Sequence, residues 1–281
     1  MTYNDPTGQN PPIVFRHMGF HNALEALDYL ATRFPAINKL LVTGFSAGGV
    51  ASGALYYEAR RTLQPAEGYL LNDSGPIFSA ANASDNSRPL HDLITSQWDL
   101  QSLYNGLPGT FDPNDFGSMT DLVALEFPND QLAYTGYSSD FNFSRFSYER
   151  FYPGIDANGI LQKWRDDQAV LVAKMNGHAN FSYHIPWHRP INDSHVVSII
   201  TFIGSHACKN IRKKKWWEFW QWPWSQSWKC TSGWTPFEDF LEVWVNQNGR
   251  SRIVEKENGY NNEDPGMVII APLINDVLAG A

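Results

Sequence analysis

The sequence predicts an α/β fold in which a mostly parallel sheet carries helices on both faces. Short apolar runs alternate with helical patterns between residues 13 and 74, and short connections join them, which is typical of strand–helix–strand units. The chain has 281 residues, of which 43% are hydrophobic and 18% charged, so it can bury a large core and has an ordinary length for one α/β domain. We therefore expect a single domain over residues 1–281.

The individual elements follow from hydrophobic periodicity. Apolar residues recur at helical spacing before Pro35 and again after the Gly/Ser-rich stretch at 44–49, whereas short apolar runs bounded by polar or turn residues indicate strands. On this basis we expect strands at 13–15, 40–45, 69–71, 132–137 and 180–187. We expect helices at 21–34, 50–63, 90–104, 115–127 and 237–245, and interrupted helix at 155–175. Residues 246–265 are polar and predict a loop.

Residues 40–49 contain the strongest motif. Gly44, Ser46 and Gly48 form Gly-x-Ser-x-Gly between a predicted strand and a predicted helix, the context in which a serine nucleophile stands at a sharp turn. The glycines let strand and helix pass closely, and the amide of Ala47 at the helix N-terminus is placed to stabilise an oxyanion. We predict that Ser46 is a nucleophile and Ala47 an oxyanion donor. The alternative is a Gly-Ser loop without a catalytic role.

A nucleophilic serine needs a base and a carboxylate that orients the base. Asp140 follows the predicted strand at 132–137, and His195 follows the one at 180–187. Functional groups of open parallel sheets collect at the carboxyl ends of the strands, and the order Ser, Asp, His is that of α/β-hydrolases. The sequence thus predicts an α/β-hydrolase-like domain with Ser46, His195 as base and Asp140 as acid.

Other residues compete for these roles. Asp73 also ends a predicted strand and is an alternative acid, although Asp73-Ser-Gly-Pro also suits a simple turn. Other histidines near the last predicted strand are His178, His184, His188 and His206, and a lone histidine is more often structural than catalytic. Pro186 interrupts the helix that would align His184 and His188 as zinc ligands, so no metal site is predicted.

Several stretches are similar to those of a known family. Residues 17–27, Val-Thr-Gly-Phe-Ser-Ala-Gly-Gly at 42–49, Asn-Asp-Ser-Gly-Pro at 72–76, Ser139-Asp140 and Ser194-His195 resemble the pectin acetylesterase family, which includes the Notum carboxylesterases. The resemblance spans roughly residues 13–247. It implies an α/β-hydrolase fold and a serine esterase that removes acyl groups, often acetyl from a polysaccharide, without a cofactor.

The resemblance is incomplete at the N-terminus. The Gly-rich segment that supplies further oxyanion amides in the family has no counterpart before Met1. Ala47 alone would leave the oxyanion hole short of a donor, which typically lowers turnover by a factor of about 100 to 1,000. We therefore expect an N-terminally truncated chain, a substitute loop or weak activity.

The insertion at 208–230 is unusually aromatic. It contains six of the eleven tryptophans, namely Trp216, Trp217, Trp220, Trp222, Trp224 and Trp228. The first five are candidate substrate contacts in a lid or loop that binds sugar faces or an acyl chain. Because lysines precede them, peripheral contact with a membrane or glycan is a further interpretation, and packing on the domain's own surface is the third.

The two cysteines, Cys208 and Cys230, bracket this insertion. If they form a disulfide, an oxidising compartment follows, and we expect an extracellular protein or one of the secretory pathway. Residues 1–20 nevertheless lack the layout of a signal peptide. Two unrelated thiols are the alternative.

Charge and hydropathy limit the function classes. A formal net charge of −8 argues against general nucleic-acid binding, and no apolar run is long enough to span a membrane. The expected function is a serine carboxylesterase that hydrolyses acyl esters, with acetyl as the expected acyl group. The alternatives are a fatty-acyl esterase and a non-catalytic hydrolase-fold protein that binds glycan or membrane through the tryptophan loop. Nothing in the sequence indicates an oligomeric state.

Overall fold

The computed structural model describes residues 2–3, 7–14, 16–81, 85–98, 100–199, 202, 204–213, 215, 228–247, 249–255, 271–272 and 274–275. The first elements are β1 (Thr2–Tyr3), β2 (Ile13–Val14), α1 (Gly19–Arg33), β3 (Lys39–Phe45), α2 (Ala47–Leu63) and β4 (Glu67–Asp73). The next are α3 (Arg88–Gln97), α4 (Gln101–Tyr104), α5 (Met119–Glu126), β5 (Gln131–Thr135), α6 (Phe141–Tyr148), α7 (Ala157–Asn176) and β6 (Phe181–Ile185). The last are β7 (Ala207–Cys208), β8 (Ile211–Lys213), β9 (Trp228–Cys230), β10 (Trp234–Thr235), α8 (Phe237–Val245) and β11 (Arg252–Val254).

A parallel five-stranded sheet forms the centre of the fold. Its strand order is β11-β6-β5-β4-β3, and every neighbouring pair is parallel. The helices α2, α5 and α7 fall between consecutive strands of this sheet. The prediction of an α/β fold with a mostly parallel sheet is confirmed. Because the strands are parallel, the turns that follow β3, β4, β5 and β6 all lie at one edge of the sheet.

Both faces of the sheet are covered, as predicted. Leu70, Leu132 and Tyr134 belong to a core that also contains residues of α2, α5 and α7. The alternate strand residues Tyr69 and Ala133 belong to a second core, which contains Phe237, Phe240 and Trp244 of α8. Successive strand side chains point to opposite faces, so this division shows helices on both sides.

Four local predictions differ from the structure. Residues 90–104 are not one helix, because α3 ends at Gln97 and α4 begins at Gln101. The interrupted helix at 155–175 is instead continuous, and the Asp156 side chain caps its start by accepting from the Gly159 amide. Helix α6 was not predicted. Strand β11 occupies part of the predicted loop at 246–265, since pairing with β6 satisfies its backbone.

The predicted disulfide is present between Cys208 and Cys230, whose Cα atoms are 5.9 Å apart. Short antiparallel pairs surround it, β7 with β10 and β8 with β9. The five candidate contact residues Trp216, Trp217, Trp220, Trp222 and Trp224 lie outside the described residues, and so does most of the predicted lid. No helix in the described ranges is long and apolar enough to cross a bilayer.

We expect the disulfide to stabilise the fold. It joins residues 22 positions apart, and closing a loop of this size removes conformational entropy from the unfolded chain worth about 3 kcal/mol. The double variant Cys208→Ala, Cys230→Ala should therefore lose about 3 kcal/mol of unfolding free energy in urea denaturation. The wild type with dithiothreitol is the matched control and should lose a similar amount. An unchanged midpoint in both would contradict the prediction.

Candidate active site

Ser46 occupies a strained turn between β3 and α2. Its φ of 56° and ψ of −126° lie in a region that non-glycine residues rarely adopt, and such strain is concentrated at functional sites. A Cβ on Gly44 would lie 2.3 Å from the carbonyl oxygen of Gly48, so the turn requires glycine at position 44. The Ser46 amide donates to the carbonyl of Asp73 at 2.9 Å, which attaches the turn to the end of β4. The strand–turn–helix context expected of the motif is thus present.

The backbone at Gly75 also lies very close to the turn that contains Ser46. A Cβ added there would lie 2.3 Å from both the Ser46 carbonyl oxygen and the Val50 amide nitrogen. The chain after β4 therefore passes directly against the first turn of α2. Ala47, the first residue of α2, has an amide without an intrahelical acceptor, as all first-turn amides do.

Asp140 and His195 form a buried pair. His195 Nδ1 lies 2.8 Å from Asp140 Oδ2, and the two residues are 5% and 0% exposed. Since an ionised carboxylate only accepts hydrogen bonds, it places the proton on Nδ1 and leaves Nε2 with a lone pair. The other carboxylate oxygen, Oδ1, caps α6 by accepting from the Phe143 amide at 2.8 Å. Asp140 is therefore fixed by the helix as well as by the imidazole.

The electrostatics of Asp140 combine opposing effects. Burial raises the pKa of this carboxyl above its ordinary value. The hydrogen bond and charge of His195 act in the opposite direction, as do the backbone amides of Phe143 and Asn142. The imidazole and the two amides therefore favour the ionised carboxylate, against the effect of burial.

Asp73 holds the loop that carries His195. Its Oδ1 accepts from the Val197 amide at 2.9 Å and from the Ser74 hydroxyl at 3.0 Å. Its Oδ2 accepts from the amide and hydroxyl of Ser198 at 2.8 and 2.6 Å. The side chain is 1% exposed. The structure therefore places Asp140, not the alternative acid Asp73, on the imidazole.

The loop that carries His195 is strained along its length. Positive φ angles occur at Asn192, Asp193, Ser194 and Val196, with values between 49° and 68°. Val196 is β-branched, for which such an angle is especially unfavourable. Its amide donates to the Ser74 hydroxyl at 3.2 Å, and its carbonyl accepts from the fully buried Arg189 at 2.6 Å. Hydrogen bonds on both sides thus fix the strained backbone.

The competing histidines lie in other surroundings. His178 Nε2 contacts Asp121 at 2.7 Å, and His188 Nδ1 contacts the Ser194 hydroxyl at 2.7 Å. His184 is buried between Phe237 and Phe240, bonds the Ser205 carbonyl, and has a pKa that burial lowers to about 4. The His206 ring packs on Trp234. Of the five histidines considered from sequence, His195 is the one that lines the cavity of Ser46.

Ser46, Ala47 and His195 line one cavity of about 570 Å³. Its other walls are largely apolar side chains from α2, α3, α4, α5 and α6 and from the turn after β4. Within the described part of the chain, no hydrogen bond joins the Ser46 hydroxyl to His195. Catalytic hydrogen bonds of unliganded enzymes are often long and shorten when substrate binds. The volume lies within the roughly 300–1,000 Å³ of small-molecule sites.

Sequence reasoning missed most of the cavity wall. Phe143 of α6 packs on the His195 ring with 6.0 Å between ring centres. The signal for α6 was present, because Asp140 is a favourable N-cap directly before the helix. His91 of α3 also lines the cavity, and no motif in the sequence distinguishes it.

The chain was compared with known proteins. No protein-family model, curated protein or solved structure matches it. The resemblance to the pectin acetylesterase family therefore remains a hypothesis, based on the short stretches of sequence given above.

The close packing beneath Ser46 predicts that alanine is tolerated much less well at Gly75 than at Gly48. Gly75→Ala should lose about 1 to 3 kcal/mol of unfolding free energy, because the new Cβ meets backbone atoms that cannot rotate away. Gly48→Ala is the matched control, since a Cβ there meets nothing within 4 Å on a helical residue. It should be neutral or stabilise by up to about 1 kcal/mol. Equal urea midpoints for the two variants would refute this packing.

Proposed function

We propose that the protein is a serine carboxylesterase that hydrolyses acyl esters through an acyl-enzyme on Ser46. The observation that carries the proposal is the 2.8 Å contact between His195 Nδ1 and Asp140, in a cavity that His195 shares with the strained Ser46. Ser46 follows β3, Asp140 lies just beyond β5 and His195 lies beyond β6. This order at one sheet edge supports an α/β-hydrolase fold.

Each residue has a defined role in the proposed reaction. His195 Nε2 removes the proton of Ser46 as Oγ attacks the ester carbonyl, and Asp140 stabilises the imidazolium that results. The Ala47 amide donates to the oxyanion of the tetrahedral intermediate. The C–O bond to the alcohol then breaks as His195 returns the proton to the leaving oxygen. Water, activated by His195, hydrolyses the acyl-enzyme and frees Ser46.

Two observations favour different acyl groups for the substrate. The resemblance to pectin acetylesterases favours acetyl. The apolar cavity of about 570 Å³ is much larger than an acetyl group requires, and this observation favours the second candidate, a fatty-acyl esterase. The alternative to an enzyme is a non-catalytic protein of the same fold that binds glycan or membrane.

The disulfide supports a location outside the cytosol, because such bonds persist in oxidising compartments. We propose an extracellular protein or one of the secretory pathway. The tryptophans between the two cysteines remain our candidates for contact with a glycan, a membrane or the acyl chain.

Active-site labelling tests the enzyme proposal. A fluorophosphonate should give one adduct on the wild type by intact mass, because His195 activates Ser46. Ser46→Ala should give none, and His195→Ala should label at least about 100-fold more slowly.

Ser147→Ala is the matched control. Ser147 lines the same cavity, but its hydroxyl already donates to the Phe143 carbonyl, so this variant should label as the wild type does. A folded wild type that takes no adduct would favour the non-catalytic rival.

Chain-length preference tests the acyl candidates. With p-nitrophenyl esters, a wild type that uses the cavity should show a higher kcat/KM for octanoate than for acetate. Ala54→Phe, on the α2 wall, should fill part of the cavity and lower kcat/KM for octanoate by about 10-fold or more while acetate changes little. A wild type that prefers acetate, with no effect of Ala54→Phe on octanoate, would support the acetylesterase instead.

A further inference from the structure

Five Asn-x-Ser sequences occur in the chain, and this sequence is the acceptor pattern for N-linked glycans in proteins of the secretory pathway. Their asparagines are Asn72, Asn82, Asn142, Asn180 and Asn192. Asn82 lies outside the described residues. A glycan is bulky and polar, so it needs an asparagine whose side chain reaches solvent in the folded protein. The other four asparagines differ in this respect.

Asn180 is enclosed by the fold. It is 3% exposed, and its Nδ2 atom donates to the carbonyls of Ala124 at 3.2 Å and Phe127 at 3.0 Å. Both hydrogens of this amide are therefore used, and an N-linked sugar would replace one of them. A buried carbonyl would then lose its donor, which is unfavourable. Asn180 is thus a structural residue.

Asn72 and Asn192 are partly buried and belong to the turns around the candidate site. Asn72 Nδ2 donates to the Gly75 carbonyl at 2.8 Å, and its Oδ1 accepts from the Gly75 amide at 3.1 Å. Asn192 Nδ2 donates to the His195 carbonyl at 3.1 Å. A sugar on either amide would disturb backbone that these hydrogen bonds hold. Both asparagines therefore have a structural role as well.

Asn142 has different surroundings. It is the second residue of α6, and of the four acceptor asparagines that the structure describes it is the exposed one. Asn142 lines the cavity that contains Ser46 and also a separate, more open depression of about 400 Å³. It therefore stands on the rim between the two, where a glycan can extend into solvent.

The depression beside Asn142 is suited to a sugar. Phe146 lies four residues after Asn142, so the two side chains share one face of α6. Phe146 is 56% exposed, and an exposed aromatic ring gains free energy when another group covers its apolar face. Charged side chains in the walls of the depression offer partners for sugar hydroxyls, namely Arg145, Glu149, Arg150 and Asp193.

We propose that Asn142 is an N-glycosylation site whose first sugar packs on Phe146. The donor is an oligosaccharide linked to a lipid diphosphate, and a transferase of the secretory pathway catalyses the transfer. Asn142 Nδ2 forms a bond to the anomeric carbon of the sugar as the bond from that carbon to the diphosphate oxygen breaks. The lipid diphosphate leaves with the bonding electron pair, and Nδ2 gives up one proton to a base. The transfer needs no oxidant or reductant.

This inference rests on the proposed location outside the cytosol and not on the esterase activity. The disulfide between Cys208 and Cys230 supports that location. Since Asn142 and Phe146 also line the cavity of Ser46, the glycan stands beside the cavity mouth. It would therefore contact the part of a large substrate that remains outside the cavity.

Site occupancy in the secreted protein tests the inference. The full chain, with an added cleavable secretion signal, is produced in human cells and treated with peptide N-glycosidase F in heavy-oxygen water. This treatment converts each glycosylated asparagine to a heavy aspartate, which peptide mass spectrometry detects. We expect the heavy aspartate at position 142 in most molecules and not at positions 72, 180 or 192. If the chain is not secreted, translation with microsomes gives the same readout.

Two variants serve as controls, because each removes the acceptor sequence in a different way. Asn142→Gln replaces an exposed side chain, and Ser144→Ala keeps Asn142 but removes the hydroxyl residue. Both should lose the mass of one glycan. Secreted, disulfide-bonded wild type without a glycan at Asn142 would overturn the site.

A double-mutant cycle tests the contact with Phe146, with all proteins made in the same cells. Asn142→Gln should lower the urea midpoint of the wild type, because the protein loses the sugar that covers the ring. In the Phe146→Ala background the same substitution should lower it clearly less. Equal shifts in both backgrounds would overturn the contact.

The proposed location fails differently from the proposed site. A chain that is directed to the secretory pathway but forms no disulfide between its two cysteines would count against the location. A disulfide-bonded chain with an unmodified Asn142 would overturn the site alone. Fluorophosphonate labelling of Ser46 reports on the esterase independently of both.

Discussion

The buried carboxylate of Asp73 is the contact on which the candidate site depends. It accepts four hydrogen bonds, from Ser74, the Val197 amide and both donors of Ser198. The backbone carbonyl of Asp73 accepts a hydrogen bond from the Ser46 amide. The amide of the next residue, Ser74, donates to the carbonyl of Thr135 at the end of β5. The end of β4 therefore connects the serine turn, the loop that carries His195 and the strand that leads to Asp140. A buried carboxylate without these donors would strongly disfavour the folded state.

Asp140 and Asp73 have different roles at this site. Asp140 contacts the imidazole and is held in turn by the N-terminus of α6. Among the described residues, the Asp73 carboxylate accepts hydrogen bonds from backbone amides and hydroxyls alone, and these bonds position the loop that carries His195. Catalytic groups must be held within a fraction of an ångström of their working geometry, and a supporting shell of this kind provides that restraint.

Sequence patterns correctly predicted the features that depend on residues close together in the chain. The Gly-x-Ser-x-Gly turn, the parallel strands and the strand-end positions of Asp140 and His195 follow from spacing along the chain. Asp73 ends β4 and Asp140 lies just beyond β5, however, so both lie at the same edge of the sheet and only the three-dimensional contacts distinguish their roles. Strand β11 was missed because its pairing partner β6 lies far away in sequence, and tertiary pairing overrides weak local propensity. His91 is one of eight histidines, and no spacing along the chain indicates that it lines the cavity.

The positive φ angles have a consequence for how this protein would respond to directed evolution. Six non-glycine residues in the turns after β3 and β4 and in the loop that carries His195 have them, namely Ser46, Ser74, Asn192, Asp193, Ser194 and Val196. Each such residue costs of order 1 to 3 kcal/mol, and glycine at the same position would relieve part of that cost. A screen that rewarded heat resistance alone would therefore accumulate substitutions in these turns. The same substitutions would remove the Ser46 hydroxyl or loosen the loop that holds His195, so such a screen needs a parallel assay that reports on the site.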